Sequence, residues 1–537
     1  MARTLKTQIR ENSHQRRGER SILASTVSGQ TPTESGGTLI VFSQAPVVNV
    51  GPSPSPNQSS NAIRTPDHEQ RFDGASSAPP PRIESPCALP IKTAFDSECL
   101  SRTDLNLITF YLEDLFPFLY PLYSPSALHG GRAWILDLLL RSPVIRQAML
   151  CQSSYYLSLT QSTIESTISF DIVLAQTRDA FHILGQALSL IQTGGIANHI
   201  HGTVRIFTGI MQLQRFEVAL SSFQNCRAHL NACASLFRQL LHVGRRSVDG
   251  SFCPSSCFDS VMHSLGPSSW TLLGSTYQVS SSEQDAFRFS SALLIFDDVI
   301  ASTVLQEVPQ LYDLHTSLLA SEIAVDLQAT IGCQNWVILY LGKIASLNSW
   351  KRDRKRAGSL DIVELVQRAM SIKASLKELL GQVQAKQVNT HSNSFIEVLG
   401  STSGVANRAA SKSLTTRIWA HAALLYLTIV VSGWQPANIE IRMHVQEVLH
   451  LLSQLAPLTH LRAACWPLCL AGCLAEVEKE AHFRTLVQQL QPPKAFGTLY
   501  RALDIMERAW QRREELVASE ADLAAVFQCG GELILLV

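Results

Sequence analysis

The residues whose types and spacing could support chemistry in this chain fall into a few small groups of cysteines, histidines and carboxylates. Cys253 and Cys257, in CPSSC, stand four apart with His263 nearby. A structural zinc site needs four ligands in a tetrahedral array. This group offers no second pair, so it reads as two loop cysteines without a metal. Cys465, Cys469 and Cys473 recur every four residues, which on a helix lines them along one face. Cysteine packs as a small apolar residue, so the row reads as tight helix packing, with Pro467 in the first turn and Cys465 just outside it. Cys226 and Cys233 read the same way. His199 and His201 have no acidic or thiol partner beside them.

Carboxylates and nucleophiles return as little. Asp297 and Asp298 are adjacent, so on a helix they point about 100° apart, and an acid–base pair must instead converge on one substrate. One of them can cap a turn or pair with a base. MHSLG, at 262–266, comes nearest to a hydrolase nucleophile elbow, but Met262 stands where that strained turn needs glycine, and the segment reads as loop. The sequence contains no Gly-x-x-x-x-Gly-Lys phosphate loop and no dinucleotide fingerprint after a strand. The Gly-Gly pairs beginning at 130, 194 and 530 suit helix ends. No catalytic, cofactor-binding or metal residue is therefore expected.

One charged cluster is candidate machinery of another kind. WKRDRKRAG gathers Lys351, Arg352, Arg354, Lys355 and Arg356 directly after an apolar helical pattern. Such a run can act as a nuclear-import signal or an anion patch, or it can be a solvated helix end whose cations face the negative pole of the dipole. RENSHQRRGER near the N-terminus is a weaker second candidate. Over the whole chain 44 basic residues balance 44 acidic ones, so any contact with a polyanion must come from a local patch.

The elements that would carry these residues are helices. From about Asp104 apolar residues recur at three- and four-residue intervals. DLNLITFYLEDLF places Leu105, Ile108, Leu112 and Leu115 in one stripe, with Asp104 suited to the cap and Pro117 and Pro121 to the stop. Later segments such as EVALSSFQNCRAHLNACASLFRQLL, IVELVQRAMSIKASLKELL and LYRALDIMERAWQRREEL repeat the theme. No stretch alternates with period two over strand length. The expected fold is all-α, a large body of packed antiparallel helices over 104–520. Long loops are expected at about 244–282 and 383–410, and a short C-terminal tail at 521–537. Before this body, residues 1–20 read as a basic tail and 21–100 as a disordered Ser/Thr/Pro/Gly-rich linker. Prolines at 52, 54, 56, 79, 80 and 81 deny that linker helical hydrogen bonds, and few large apolar residues lie among them.

At 537 residues the chain is longer than one hydrophobic core usually serves. Charged residues make up 16%, against about 25% in ordinary soluble domains, which implies much buried surface and favours self-association. Twelve cysteines are scattered without a framework spacing and no secretory signal precedes them, so reduced thiols are expected. The N-terminus faintly resembles a transit peptide, against which Glu11 and Glu19 count. The longest apolar run, Ala422–Val431, is closed by His421 and Ser432, short of the roughly 20 residues of a membrane helix. The chain reads as soluble, with no membrane partner.

Several segments together resemble the fungal-specific transcription factor domain, the regulatory domain that accompanies binuclear six-cysteine zinc clusters. FYLEDLFPFLYPLY and GGRAWILDLLLRSPVIRQAML look like its opening block, through Arg132, Trp134 and Ser142–Pro143. LQRFEVALSSFQNCRAHLNACASLF is similar through Leu213, Glu217, His229 and Leu230, and FDDVIASTVLQEVPQLYDLH through its Phe-Asp start and Pro309. GCQNWVILYLGKIASLNSWK matches through Gly332, Cys333, Asn335, Trp336, Trp350 and Lys351. WPLCLAGC and ALDIMERAWQRRE resemble the closing helices. These five blocks run in order over about 104–515.

The resemblance implies a nuclear, often dimeric regulator of transcription, frequently of metabolic or secondary-metabolite genes. It does not carry over zinc-dependent DNA reading. Before Asp104 only Cys87 and Cys99 occur, twelve positions apart, and they cannot bind two zinc ions. Either the protein works through partners, as a homodimer or with other regulators, or a preceding exon supplies the cluster and its zinc. A non-transcriptional helical scaffold or adaptor is the alternative, and a helical enzyme a more distant one.

Overall fold

The computed structural model describes residues 100–537 apart from Ser124, 126–130, 161–165, 245–252, 273–274, 321–323, 387–401, 519–521 and 528–532. The basic tail and the linker expected over 1–100 lie, but for Leu100, outside the described residues. The described chain is helical except for one short hairpin.

Helix α1 (Arg102–Phe110) is capped by Ser101 and not by Asp104. The Ser101 hydroxyl oxygen accepts from the Asp104 amide at 3.0 Å, and the Asp104 carboxylate takes the hydroxyl proton at 2.8 Å. Asp104 thus stands in the first turn, where the dipole favours an anion. The rod continues past Phe110 through a wider π turn, Tyr111–Leu115, into α2 (Phe116–Leu119). The Phe116 amide bonds back five residues to the Tyr111 carbonyl. Pro117 then falls in a first turn that needs no amide from it, so it does not stop the helix as expected; the chain leaves at Tyr120. The buried stripe is Leu107, Ile108, Tyr111, Leu115 and Phe116, while Leu105 is 48% exposed.

Helices α3 (Ala133–Arg141), α4 (Pro143–Thr160), α5 (Ser166–Gly194), α6 (Ile200–Ala219) and α7 (Phe223–Val243) follow. α4 packs on both α5 and α6, and α6 on α7. Only Leu220–Ser222 separate α6 from α7, a connection that returns the chain antiparallel. The stretch expected as a loop at 244–282 holds α8 (Pro254–Ser264) and an antiparallel hairpin, β1 (Pro267–Leu272) and β2 (Ser275–Ser280), with Trp270 opposite Tyr277. Cys257, Phe258, Val261 and Met262 give α8 its buried face. MHSLG is consequently the end of a helix and not a loop.

Helix α9 (Ser282–Leu305) is the centre of the molecule. It starts with a capping box: the Ser281 hydroxyl accepts from the Gln284 amide at 3.1 Å, and the Gln284 side chain accepts from the Ser281 amide at 2.9 Å. Glu283 through Val304 are buried except Asp285 and Arg288, the polar Ser290, Asp297, Asp298 and Thr303 included, so the helix lies inside the body with no face left to solvent over most of its length. The chain continues through α10 (Tyr312–Leu319), α11 (Leu327–Ile331), α12 (Asn335–Arg356), α13 (Ile362–Lys386), α14 (Thr402–Ser432) and α15 (Ile439–Ser453). It ends with α16 (Cys465–Cys473), α17 (Val477–Gln488), α18 (Gly497–Gln511), α19 (Arg513–Ala518) and α20 (Leu523–Phe527). α9 touches α3, α6 and α7 from the earlier group and α12 and α20 from the later one; α14 packs on α12, α13, α15 and α16.

Three expectations are corrected here. Helices α13 and α14 reach into the loop expected at 383–410, leaving 387–401 between them outside the described residues. The expected tail at 521–537 instead folds onto the body, with Leu523, Val526, Leu535 and Leu536 buried. Within α14, Ala409–Ser432 is long and apolar enough to cross a membrane, although 89% of its most apolar window is buried among the other helices.

Candidate functional site

Helices α6 and α9 bring charge into the interior. Arg215 donates through Nη2 to Asp297 Oδ1 at 2.7 Å, with the two side chains 11% and 0% exposed. Burial pushes the Asp297 carboxyl up to about 6, although Arg215 pulls the other way; desolvation outweighs the ion pair. Asp298 does separate work. It accepts from the Gln310 and Leu311 amides at 2.9 Å each and lies 3.7 Å from His315 Nε2. The adjacent aspartates therefore diverge, one pairing with a base and the other holding a turn.

Next to the ion pair is a cavity of about 60 Å³ whose walls come from α2, α6, α9, α14, the segment before α16 and the chain's last residues. Phe296 and Trp419 give it aromatic surface, while Tyr120, Arg215 and Arg462 give it polar groups. Tyr120 is 5% exposed, and its hydroxyl makes no hydrogen bond of good geometry. Burial pushes that phenol up to about 12, with Arg215 drawing it down less strongly. Arg462 donates to the Ala495 carbonyl at 3.2 Å and lies over the Phe118 ring at 4.4 Å, with its Nε unpaired. None of these three polar residues stands out in sequence. The available signal is an arginine inside an otherwise apolar run, as in IMQLQRFEVAL.

The basic cluster divides in two. Lys351 donates to the Val430 carbonyl at 2.5 Å, and Arg352 to the Gln306 side chain at 2.8 Å, where Gln306 ends α9 in the left-handed region. Both are half-buried. Arg354, Lys355 and Arg356 are exposed in the last turn of α12.

The cysteines pack rather than gather. Cys253 is exposed and Cys257 buried, and Cys226 and Cys233 are buried against backbone carbonyls. Cys465, Cys469 and Cys473 are all buried, with Cys465 opening α16 and not standing outside it. Burial raises the Cys469 thiol, and Cys473 adds to the shift. Among the described residues no three His, Cys, Asp or Glu side chains come close enough to hold a metal. His199 and His201 are exposed. A pair that the sequence does not announce is buried instead: His421 Nδ1 lies 3.0 Å from His444 Nδ1.

The motif residues explain themselves structurally. Trp134 donates to the Tyr123 hydroxyl at 2.9 Å, and Arg132 to the Tyr123 carbonyl at 3.2 Å. Gly332 ends α11 at φ +82°, where an added Cβ would lie 2.3 Å from Leu122. Asn335 accepts from the Leu327 amide at 2.9 Å and donates to the Val325 carbonyl at 2.7 Å. Trp466 stacks on Trp419 with planes 3° apart. Trp510 donates to the Gly472 carbonyl at 2.7 Å.

Fold and interior together define a large helical body built around α9, with its polar groups committed largely to internal ties. The chain belongs to the fungal specific transcription factor domain family, which it matches over residues 106–536. It is 32% identical over 453 residues to transcription factor dibT of Pestalotiopsis microspora, covering 81% of this chain and 71% of that protein. It is 25% identical over 492 residues to the pestheic acid cluster transcriptional regulator 3 of Pestalotiopsis fici, covering 88% and 80%. It is 25% identical over 425 residues to the trichothecene biosynthesis transcription regulator of Trichoderma arundinaceum, covering 76% and 92%. No solved structure matches.

Proposed function

We propose that this protein regulates transcription of a secondary-metabolite gene cluster in the nucleus and carries out no catalytic step of its own. The observation that carries the reading is the family match across nearly the whole helical body, joined to relatives named for such clusters. The same match weighs against a non-transcriptional adaptor. DNA is reached either through a homodimer or other regulators bound to the helical body, or through a zinc-cluster module that a preceding exon supplies. Arg354, Lys355 and Arg356 are the exposed part of the import patch.

Chromatin immunoprecipitation of the tagged protein is the test. Enrichment at promoters of one biosynthetic cluster supports the reading. A protein confined to the cytoplasm and absent from chromatin overturns it.

A further inference from the structure

The chain turns from α12 into α13 over residues 357–361, and one hydroxyl in that turn stands beside the basic cluster. Ser359 has arginine three and five positions before it, in RKRAGS, and no other serine or threonine of the chain has arginine at both places. Gly358, at φ +64°, donates to the Lys355 carbonyl at 3.2 Å, and the Ser359 amide donates to the Arg354 carbonyl at 3.0 Å. These bonds close α12 and hold Ser359 against the turn that carries the cluster. Ser359, Arg354, Lys355 and Arg356 are all exposed. α13 takes its cap from Asp361, whose Oδ1 accepts from the Val363 amide at 2.8 Å.

We propose that Ser359 is a phosphorylation site for a serine kinase that selects arginine three and five residues before the hydroxyl. Kinases choose among substrates by charge pattern, so Arg354 and Arg356 meet carboxylates of the kinase groove. The bond from Ser359 Oγ to the γ-phosphorus of ATP forms as the bond from that phosphorus to the β-phosphate oxygen breaks. ADP leaves, and the hydroxyl proton passes to the catalytic aspartate of the kinase. The segment must extend to lie in the groove, so the last turn of α12 opens. Residues 353–359 are exposed throughout, and opening that turn gives up little packing. Over residues 351–361 five basic side chains stand against two acidic ones, and phosphoserine adds a charge of about −1.5 to −2. The phosphate pairs with the neighbouring guanidiniums and lowers the positive charge an import receptor reads. That consequence rests on the import reading of the cluster; the site itself does not.

The full chain, incubated with ATP and the catalytic domain of protein kinase B, which selects this arginine pattern, tests the site once phosphate is mapped by tandem mass spectrometry. Phosphate is expected on Ser359. Arg354→Ala with Arg356→Ala is expected to slow its initial rate about tenfold or more, and an unchanged thermal melt shows that this double variant folds. No phosphate on Ser359 while a peptide spanning Trp350 to Val363 is phosphorylated alongside, or an unchanged rate in the double variant, overturns the proposal. In cells, a Ser359→Glu fusion is expected to accumulate in the nucleus severalfold less than Ser359→Ala. Equal accumulation overturns the consequence for import where alanine at Arg354, Lys355 and Arg356 does reduce import, and overturns the import reading itself where it does not.

Discussion

Arg215 Nη2 lies 2.7 Å from Asp297 Oδ1, and this contact ties α6 to α9 inside the protein. Removing one partner of such a pair leaves the other charge buried and alone. Arg215→Met is therefore expected to lower unfolding stability by about 3–5 kcal/mol. Arg215→Met with Asp297→Leu is expected to recover most of that loss, since neither charge then remains. Urea denaturation of the single and double variants measures both. Additive losses would show that the two groups do not depend on each other.

Acid stability follows from groups of opposite sign. Burial holds His421 and His444 down to about 4, from an ordinary 6.5, with His421 adding to the shift of His444. A histidine with a depressed pKa is protonated first in the unfolded chain, so stability present above about 6.5 is lost as pH falls toward 4. Asp297, raised to about 6 from 3.8, works the other way and favours the folded state as pH falls through 6. Urea midpoints between pH 7 and 4.5 are expected to fall. The fall should be shallower in His444→Gln and steeper in Asp297→Asn; identical slopes in all three proteins would contradict the assignment.

Gly472 sets the approach of α16 to α18. A Cβ at this position would lie 1.9 Å from Met506 Sδ, and Met506 is itself fully buried. Gly472→Ala is expected to cost roughly 1–3 kcal/mol by overpacking, and adding Met506→Ala is expected to return part of it. A thermal melt in which Gly472→Ala is neutral would show that the methionine moves freely aside.

The basic cluster predicts two distinct phenotypes. Replacing Arg354, Lys355 and Arg356 by alanine is expected to reduce nuclear accumulation of a fluorescent fusion while leaving Tm within a few degrees. Replacing Lys351 and Arg352 removes bonds to Val430 and Gln306, and is expected to lower stability by about 1–3 kcal/mol. Import unchanged in the triple variant would return those residues to the role of a solvated helix end.

Much of this architecture is legible in the chain because helices with one apolar stripe announce themselves by spacing. The legible part includes α7, with Cys226, Leu230, Cys233 and Phe237 buried in register. Where burial surrounds a helix the stripe disappears. In α9 nothing in the local pattern singles out Asp297 for Arg215, which lies 82 residues away. Pro117 misleads because a π turn ahead of it absorbs the missing amide, and the C-terminal residues mislead because a short apolar stretch such as LILLV carries no period. The cavity is illegible for a related reason: Tyr120, Arg215 and Arg462 meet only through tertiary packing.

Transcript abundance after deletion of the gene, measured across the genome, tests the central claim most directly. A coordinated loss or gain of messages from one biosynthetic cluster, restored by the full chain, is the predicted result. Transcript levels unchanged throughout every such cluster, under conditions where the protein is present, would contradict it.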